Sequence, residues 1–282
     1  MIGVGRVTGL LLVLSATVVV GGAVGAQSDV DARYGSPGTR VTVKRMVAAH
    51  GGMSAWSASP TVSFLRTAEL AGDPQPWVLH ETIEQGRRRL YQDWPEEGMR
   101  LVSDGNEVWT VNWSKMFPPA FVAQIGFYFL NMPWITQDPG VILNEIGTGS
   151  YPTSDREFAK VEMTFQPGTG ETPGDRYVLY IDQETHLLQA IEYHVSYGAL
   201  LDGSYLAPSV KTIGPFYHVN DEFAEVNGNK VPVRYSVYSP SGSRSITGVL
   251  EEWSFSKPFD ESNLIKPATA TVDQSNRQRR KH

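Results

Sequence analysis

The feature that most constrains the fold is a two-residue alternation of apolar and polar side chains, which recurs in successive segments from Thr61 onward. Successive side chains of a strand point to opposite faces of a sheet, so the alternation predicts strands with one buried face. The steps Asp104-Gly105 and Asn227-Gly228 separate such segments and are typical of tight hairpin turns. Because strands follow strands without intervening helices, the order excludes parallel βαβ units and predicts an antiparallel sheet.

Two segments depart from the alternation and predict helices. In the first, apolar side chains recur at helical spacing from Val43 to His50, and Gly51-Gly52 ends the pattern. The second, residues 117–134, begins near Pro118-Pro119, ends at Pro133 and is apolar on nearly every face. Such a helix is either buried or lines an apolar cavity. Residues 135–154 are expected to form a loop, with a short helix at 141–146.

These elements together predict the fold class and the division of the chain. We expect a mainly β (α+β) fold, with about ten strands in a curved antiparallel sheet or incomplete β-barrel and helices against its concave face. One open-barrel domain is expected over residues 39–266. A flexible lead-in (27–38) precedes it, and a disordered basic tail (267–282) follows it.

The first 26 residues have the pattern of a secretory signal peptide. Arg6 precedes an apolar run, and small residues end the segment at Ala26. The alternative is an uncleaved membrane anchor, but the densest apolar stretch, Leu10 to Val20, is shorter than the roughly 20 residues that span a bilayer. We therefore expect an exported protein of the periplasm or cell envelope, with secretion as a further possibility.

Charge and composition restrict the partners. The formal net charge of −6 disfavours nucleic-acid binding, and the absence of cysteine excludes disulfides, thiol catalysis and Cys-ligated metals. The basic residues of the tail favour contact with an anionic membrane surface or an envelope protein, although a solvated end is the simpler interpretation; they are Arg277, Arg279, Arg280 and Lys281.

No sequence motif indicates catalysis, a cofactor or a metal. Phosphate-binding loops and nucleophile elbows are absent from the sequence. His194 and His218 could approach across neighbouring strands, but scattered histidines in a β-protein are more typical of hydrogen-bonded strand positions. The adjacent carboxylates Asp221 and Glu222 would point to opposite faces of a strand. We therefore expect a non-enzymatic protein without cofactor or metal.

Aromatic residues concentrate in and before the second helix, and they are the candidate ligand-binding side chains. They form either ordinary core or the wall of a cavity for an acyl chain or another flat apolar ligand. With Ile125 and one residue of a later strand, the predicted set is Trp109, Trp113, Phe117, Phe121, Ile125, Phe127, Phe129, Trp134 and Tyr193.

Short motifs and their order resemble a known superfamily. His50-Gly51-Gly52 ends the first helix, Tyr177 to Thr185 forms a strand and turn, and residues 221–228 and Trp253 to Asp260 follow later. This order resembles the LolA/LolB-type periplasmic lipoprotein-carrier superfamily. The resemblance implies an incomplete barrel that encloses an apolar cavity for acyl chains. For the superfamily's cavity arginine, strand position offers four candidates: Arg66, Arg87, Arg88 and Arg89.

The function expected from these observations is reversible binding. The first hypothesis is an exported protein that holds a lipid, acyl chain or lipid-modified protein in an apolar cavity. The alternative is a cell-envelope scaffold that docks a partner protein through the aromatic residues. A hydrolase with a site assembled from distant residues is the third.

Overall fold

The computed structural model of the protein describes residues 32–169, 172, 174–202 and 212–275. The predicted signal segment and the basic residues 277–281 lie outside this part of the chain. The α-helices of the described part are α1 (Pro37–Ala49), α2 (Gly52–Ser57), α3 (Pro119–Ile135) and α4 (Gly198–Asp202). None of the helices in the described residues has the length and apolar character needed to cross a membrane.

Thirteen strands and two 3₁₀ turns complete the described part of the chain. The turns cover Pro95–Glu97 and Glu261–Leu264. The strands are β1 (Thr61–Leu70), β2 (Trp77–Glu84), β3 (Arg89–Trp94), β4 (Met99–Ser103), β5 (Val108–Val111), β6 (Val141–Gly149), β7 (Phe158–Phe165), β8 (Arg176–Asp182), β9 (Leu188–Val195), β10 (Ile213–Val226), β11 (Asn229–Tyr238), β12 (Arg244–Ser254) and β13 (Thr271–Val272).

The strands form one antiparallel sheet in the order β13-β5-β4-β3-β2-β1-β12-β11-β10-β9-β8-β7-β6. Two meanders, β1 to β5 and β6 to β12, are joined by the pairing of β1 with β12. Strands β6 and β13 are the two edges, so the sheet is not closed into a barrel. The predicted mainly β fold with an open antiparallel sheet is confirmed, and so are the hairpins at Asp104-Gly105 and Asn227-Gly228.

The sheet curves around helix α3. The position of a Cβ on Gly126 would lie 2.6 Å from a carboxylate oxygen of Glu81 in β2. Two residues further along the helix, the ring of Tyr128 stacks parallel to that of Tyr177 in β8. Strands β2 and β8 are six positions apart in the sheet, or about 29 Å if the sheet were flat. Only a curved sheet brings both to one turn of a helix about 10 Å wide, so α3 lies on the concave face.

One inner core fills the space between the sheet and its helices, and a smaller cluster covers the outer face. The two faces of β9 separate as the alternation predicted: Ile191 belongs to the inner core and Ala190 to the outer cluster. The outer cluster also contains Tyr151, Phe158 and Tyr180. Its aromatic side chains explain why several strands carry apolar residues on both faces.

One expectation about an individual element is wrong: Val141–Gly149 is strand β6 rather than part of a loop with a short helix. The described residues form thirteen strands where about ten were expected. Val141 and Leu143 are buried while Ile142 and Asn144 are half-buried, which is the strand period. Three consecutive apolar residues followed by glycines at 147 and 149 hide this period in the sequence. Pairing with β7 stabilises the segment, and local sequence does not report that pairing.

The predicted domain boundaries at 39 and 266 are also too narrow. The end of the expected lead-in already belongs to α1, because Ser36 caps the helix by accepting a hydrogen bond from the Thr39 amide at 3.0 Å. At the other end, β13 lies within the segment expected to be disordered and pairs with β5. Helix α3 likewise continues past Pro133 to Ile135.

Candidate functional site

Helix α3 carries the candidate site, and its sequence explains its ends. Pro119 occupies the first turn, where its missing amide hydrogen costs no helical hydrogen bond. The next amide, that of Ala120, donates to a carboxylate oxygen of Asp273 at 2.8 Å. A side chain that directly follows β13 therefore caps the helix, and the C-terminal segment is fastened to both the sheet edge and α3.

A cavity of about 260 Å³ lies between α3 and the arm formed by β3, β4 and β5. Its apolar wall comes from two of these strands and from one side of the helix: Leu90, Val108, Ala120, Ala123, Phe127 and Tyr128. Its polar lining includes Arg87, Arg88, Glu107, Gln124 and Asp273. We call this space the first cavity.

Ion pairs fix the charged side chains of the first cavity. Arg88 forms an ion pair with Asp138, and its guanidinium carbon lies 5.4 Å from the centre of the Phe127 ring. Arg87 contacts Glu261 at 3.4 Å while its side chain remains 68% exposed. The side chains of Arg87 and Arg88 thus lie at a solvent-exposed part of the cavity lining, and Arg88 lies beside the Phe127 ring of the apolar wall.

A second, smaller cavity of about 30 Å³ lies on an adjacent side of α3, against β8 and β9. Its wall is mainly aromatic and includes Phe121, Phe129, Tyr177, Tyr193 and Tyr197. Burial raises the pKa of the Tyr177 and Tyr193 phenols, so both are neutral. We call this space the second cavity.

The structure distributes the predicted site residues among three environments. Phe127 lines the first cavity, whereas Phe121, Ile125, Phe129 and Tyr193 line the second. The remaining members pack with other aromatic rings or in the core and line neither cavity; they are Trp109, Trp113, Phe117 and Trp134. Trp109 is 1% exposed, and Trp134 stacks on Trp56 with the ring centroids 3.8 Å apart.

Several lining residues escaped the sequence prediction, although the sequence contained a signal for them. Ala120, Ala123, Gln124 and Tyr128 share a side of α3 with Phe127 and recur at three- and four-residue spacing. The prediction chose residues for their aromatic character, and such residues lie on every side of the helix. A choice by three- and four-residue spacing from Phe127 would have identified the side that lines the first cavity.

A buried polar cluster supports α3 from beneath. Arg66 donates to Glu81 at 3.2 Å and to the Tyr235 hydroxyl at 2.9 Å, and Glu81 is fully buried. Burial lowers the pKa of Arg66, but Tyr235 and Glu81 raise it more, so the guanidinium stays charged. The His218 ring stacks on Tyr235 on one side and on Phe129 of the helix on the other.

The four arginine candidates occupy different positions. Arg66 is half-buried beside the fully buried Glu81, and Arg87 and Arg88 line the first cavity. Arg89 pairs with Glu84 and Glu261 outside the cavity lining.

Two histidines are buried, and burial is the main influence on the pKa of each. His50 joins the end of α1 to the sheet: its Nδ1 donates to the Lys230 carbonyl at 2.7 Å and its Nε2 accepts from the Leu188 amide at 3.0 Å. Burial lowers the pKa of His50 to about 4. Burial, and next the charge of Arg66, lower the pKa of His218 to about 3. Both rings are therefore neutral near pH 7.

The approach of His194 to His218 does not occur. His218 faces Ile191 across the β9–β10 pair, and His194 faces Arg176 across the β8–β9 pair. Within the described residues, no group of three or more potential metal-ligating side chains comes together.

Comparison with known proteins identifies the fold. No family model and no curated protein matches the sequence. A DUF1329 family protein from Desulfovibrio piger superimposes with a TM-score of 0.50 at 10% identity, over 79% of this chain and 95% of that one. The chain therefore has the fold of that protein, an open antiparallel sheet with a helix on its concave face.

Two further solved structures are similar over most of their own length. A LolA superfamily protein from Nitrosomonas europaea matches with a TM-score of 0.45 at 11% identity, over 76% of this chain and 96% of that one. A protein described as an outer membrane lipoprotein-sorting protein domain, from Vibrio parahaemolyticus, matches with a TM-score of 0.47 at 8% identity, over 79% and 97%.

Proposed function

We propose that the protein is an exported carrier that holds an acyl chain of a lipid or of a lipid-modified protein in the first cavity. The observation that carries the proposal is the composition of that cavity. Leu90, Val108, Ala123 and Phe127 form an apolar wall, and the exposed side chains of Arg87 and Arg88 belong to the same lining. An acyl chain would contact the wall while its head group stays with the charges and solvent.

The cavity volume supports a ligand of this size. About 260 Å³ equals roughly eight water-sized volumes of about 30 Å³ each, which is comparable to eight methylene groups. Burial of a methylene group stabilises a complex by about 0.8 kcal/mol, so eight contribute about 6 kcal/mol. The cost of association offsets part of this gain, so the affinity is weaker than burial alone would give.

The rest of the proposal concerns location and partners. The pattern of residues 1–26 supports export to the periplasm or cell envelope. The basic residues Arg277, Arg279, Arg280 and Lys281 support a contact with anionic membrane at the place where the cargo is collected or delivered. The role is binding rather than catalysis.

The scaffold alternative receives less support. It requires the predicted aromatic residues to be available on the surface. Trp109, Phe127 and Trp134 are buried, and Phe121 and Phe129 are only partly exposed and line the second cavity. We therefore do not propose docking of a partner through these side chains.

The test combines identification of the native cargo with a variant that fills the cavity. Native mass spectrometry of the protein purified from its host without detergent is expected to show an added acyl-lipid mass that organic extraction removes. Delipidated protein is expected to bind dodecanoate in isothermal titration calorimetry. Ala123→Phe places a ring in the first cavity and is expected to weaken this binding at least tenfold.

Ala48→Phe, at an exposed position of α1, makes the same change away from the cavity and serves as the control. An apo mass together with no heat of dodecanoate binding would contradict the proposal. Equal loss of binding in both variants would show that the effect of Ala123→Phe is not specific to the cavity.

A further inference from the structure

The two cavities lie close together and share part of their walls. Gln124 and Tyr128, one helical turn apart on α3, line both of them, as does Thr172. The first cavity contains the exposed charged part, and the second is bordered mainly by tyrosine and phenylalanine rings. The Tyr128 side chain thus lies at the boundary between the larger first cavity and the smaller second cavity, whose mainly aromatic wall also includes the Asp175 carboxylate, which accepts hydrogen bonds from Thr172 and Ser196.

Contacts on either side hold the Tyr128 ring in this position. It stacks on Tyr177 with an interplanar angle of 4° and a centroid distance of 6.5 Å. The ring of Phe127, in the wall of the first cavity, meets it edge to face at 6.0 Å. Tyr177 belongs to strand β8, so this partition is supported by the sheet as well as by the helix.

We propose that Tyr128 limits the length of the acyl chain that the protein holds, a role that rests on the proposed carrier function. A chain that enters from the charged end would fill the first cavity and stop at the phenol ring. Beyond the ring, Ile125, Phe129 and Val195 offer apolar surface that longer chains would contact if the ring were absent. Tyr128 is therefore a specificity-determining residue for chain length.

The experiment measures Kd by calorimetry for octanoate, decanoate, dodecanoate, tetradecanoate and palmitate, each below its micelle concentration, with the delipidated full chain. For wild type, the gain in affinity per methylene is expected to stop within this series. Each further buried methylene changes Kd about fourfold. Tyr128→Ala is therefore expected to move the limit to longer chains and to improve the Kd of palmitate relative to decanoate by about fifteenfold for two methylenes.

Three further variants make the result specific. Tyr128→Phe keeps the ring and is expected to keep the wild-type limit. Tyr217→Ala removes a partly buried tyrosine that packs on the outer cluster and lines neither cavity, and it controls for lost stability. Ile125→Phe, combined with Tyr128→Ala, refills the second cavity and is expected to restore the shorter limit.

The outcomes separate the two proposals. If wild type binds the series but Tyr128→Ala leaves the limit unchanged, Tyr128 is not the partition, and the carrier function stands. If wild type binds none of the fatty acids, both proposals fail. If Tyr128→Ala does not fold, Tyr128→Leu takes its place, and an unchanged limit in that variant overturns the assignment.

Discussion

His218→Phe is expected to remove half of the loss of stability that the protein undergoes between pH 7 and pH 5. The folded protein keeps His218 neutral, with a pKa lowered to about 3, mainly by burial and then by the charge of Arg66. In the unfolded chain the same imidazole has a pKa of about 6.5. As the pH falls below 6.5, the unfolded state therefore binds a proton that the folded state does not, and folding becomes less favourable.

The size of the effect follows from the two pKa values. From pH 7 to pH 5, one such histidine lowers the free energy of unfolding by about 2 kcal/mol. His50, whose pKa is lowered to about 4, contributes a second equal loss in the same window. The wild-type protein is thus expected to lose about 4 kcal/mol, and His218→Phe about 2 kcal/mol. Most carboxylates titrate below pH 5 and add little.

The assay is urea unfolding of wild type and His218→Phe, followed by tryptophan fluorescence at pH 7, 6 and 5. Phenylalanine keeps an aromatic ring between Phe129 and Tyr235, so the variant is expected to fold and to differ mainly in slope. His50→Gln, measured in parallel, reports the other half of the loss. Equal slopes in wild type and His218→Phe, or a folded-state NMR titration of His218 near pH 6.5, would refute the reasoning.

Two further changes test the supports of the central helix. Arg66→Met leaves Glu81 buried without its ion-pair partner and is expected to lower the free energy of unfolding in urea by about 3–5 kcal/mol. The double variant Arg66→Met, Glu81→Leu, which removes the buried charge as well, is expected to recover much of this loss. Asp273→Ala removes the side chain that accepts from the Ala120 amide, and a cost of about 1 kcal/mol with faster hydrogen exchange of that amide is expected. Unchanged exchange would show that the C-terminal segment does not hold the helix.

The local parts of this fold could be predicted from the sequence because their causes are local. Alternation identified the long strand β9, and the Asp104-Gly105 and Asn227-Gly228 steps identified two hairpins. Strand β13 consists of only Thr271–Val272, too short for any period to be visible. The pairing of β1 with β12 joins segments far apart in the chain, and nothing in either segment specifies the other.

The candidate site could be predicted only in part, because the aromatic character of a residue does not show which way its side chain points. Trp109 and Phe127 were equally good candidates by composition, yet one is in the core beside β13 and the other faces the first cavity. Gln124 and Tyr128 line both cavities because they lie on the side of α3 that faces the two spaces. Since α3 is apolar on nearly every side, the sequence did not indicate which side this would be.

A single glycine shows how the core and the cavity depend on each other. A Cβ at Gly126 would lie 2.6 Å from Oε1 of Glu81 and 3.0 Å from Nε2 of Gln92, closer than side-chain atoms normally approach. Glycine therefore allows α3 to lie directly on the buried Arg66–Glu81 pair. Because part of the lining of the first cavity belongs to the same helix, a change in the depth at which α3 sits on this pair is expected to change the width of that cavity. The side chains of Arg66 and Glu81 do not line the cavity themselves.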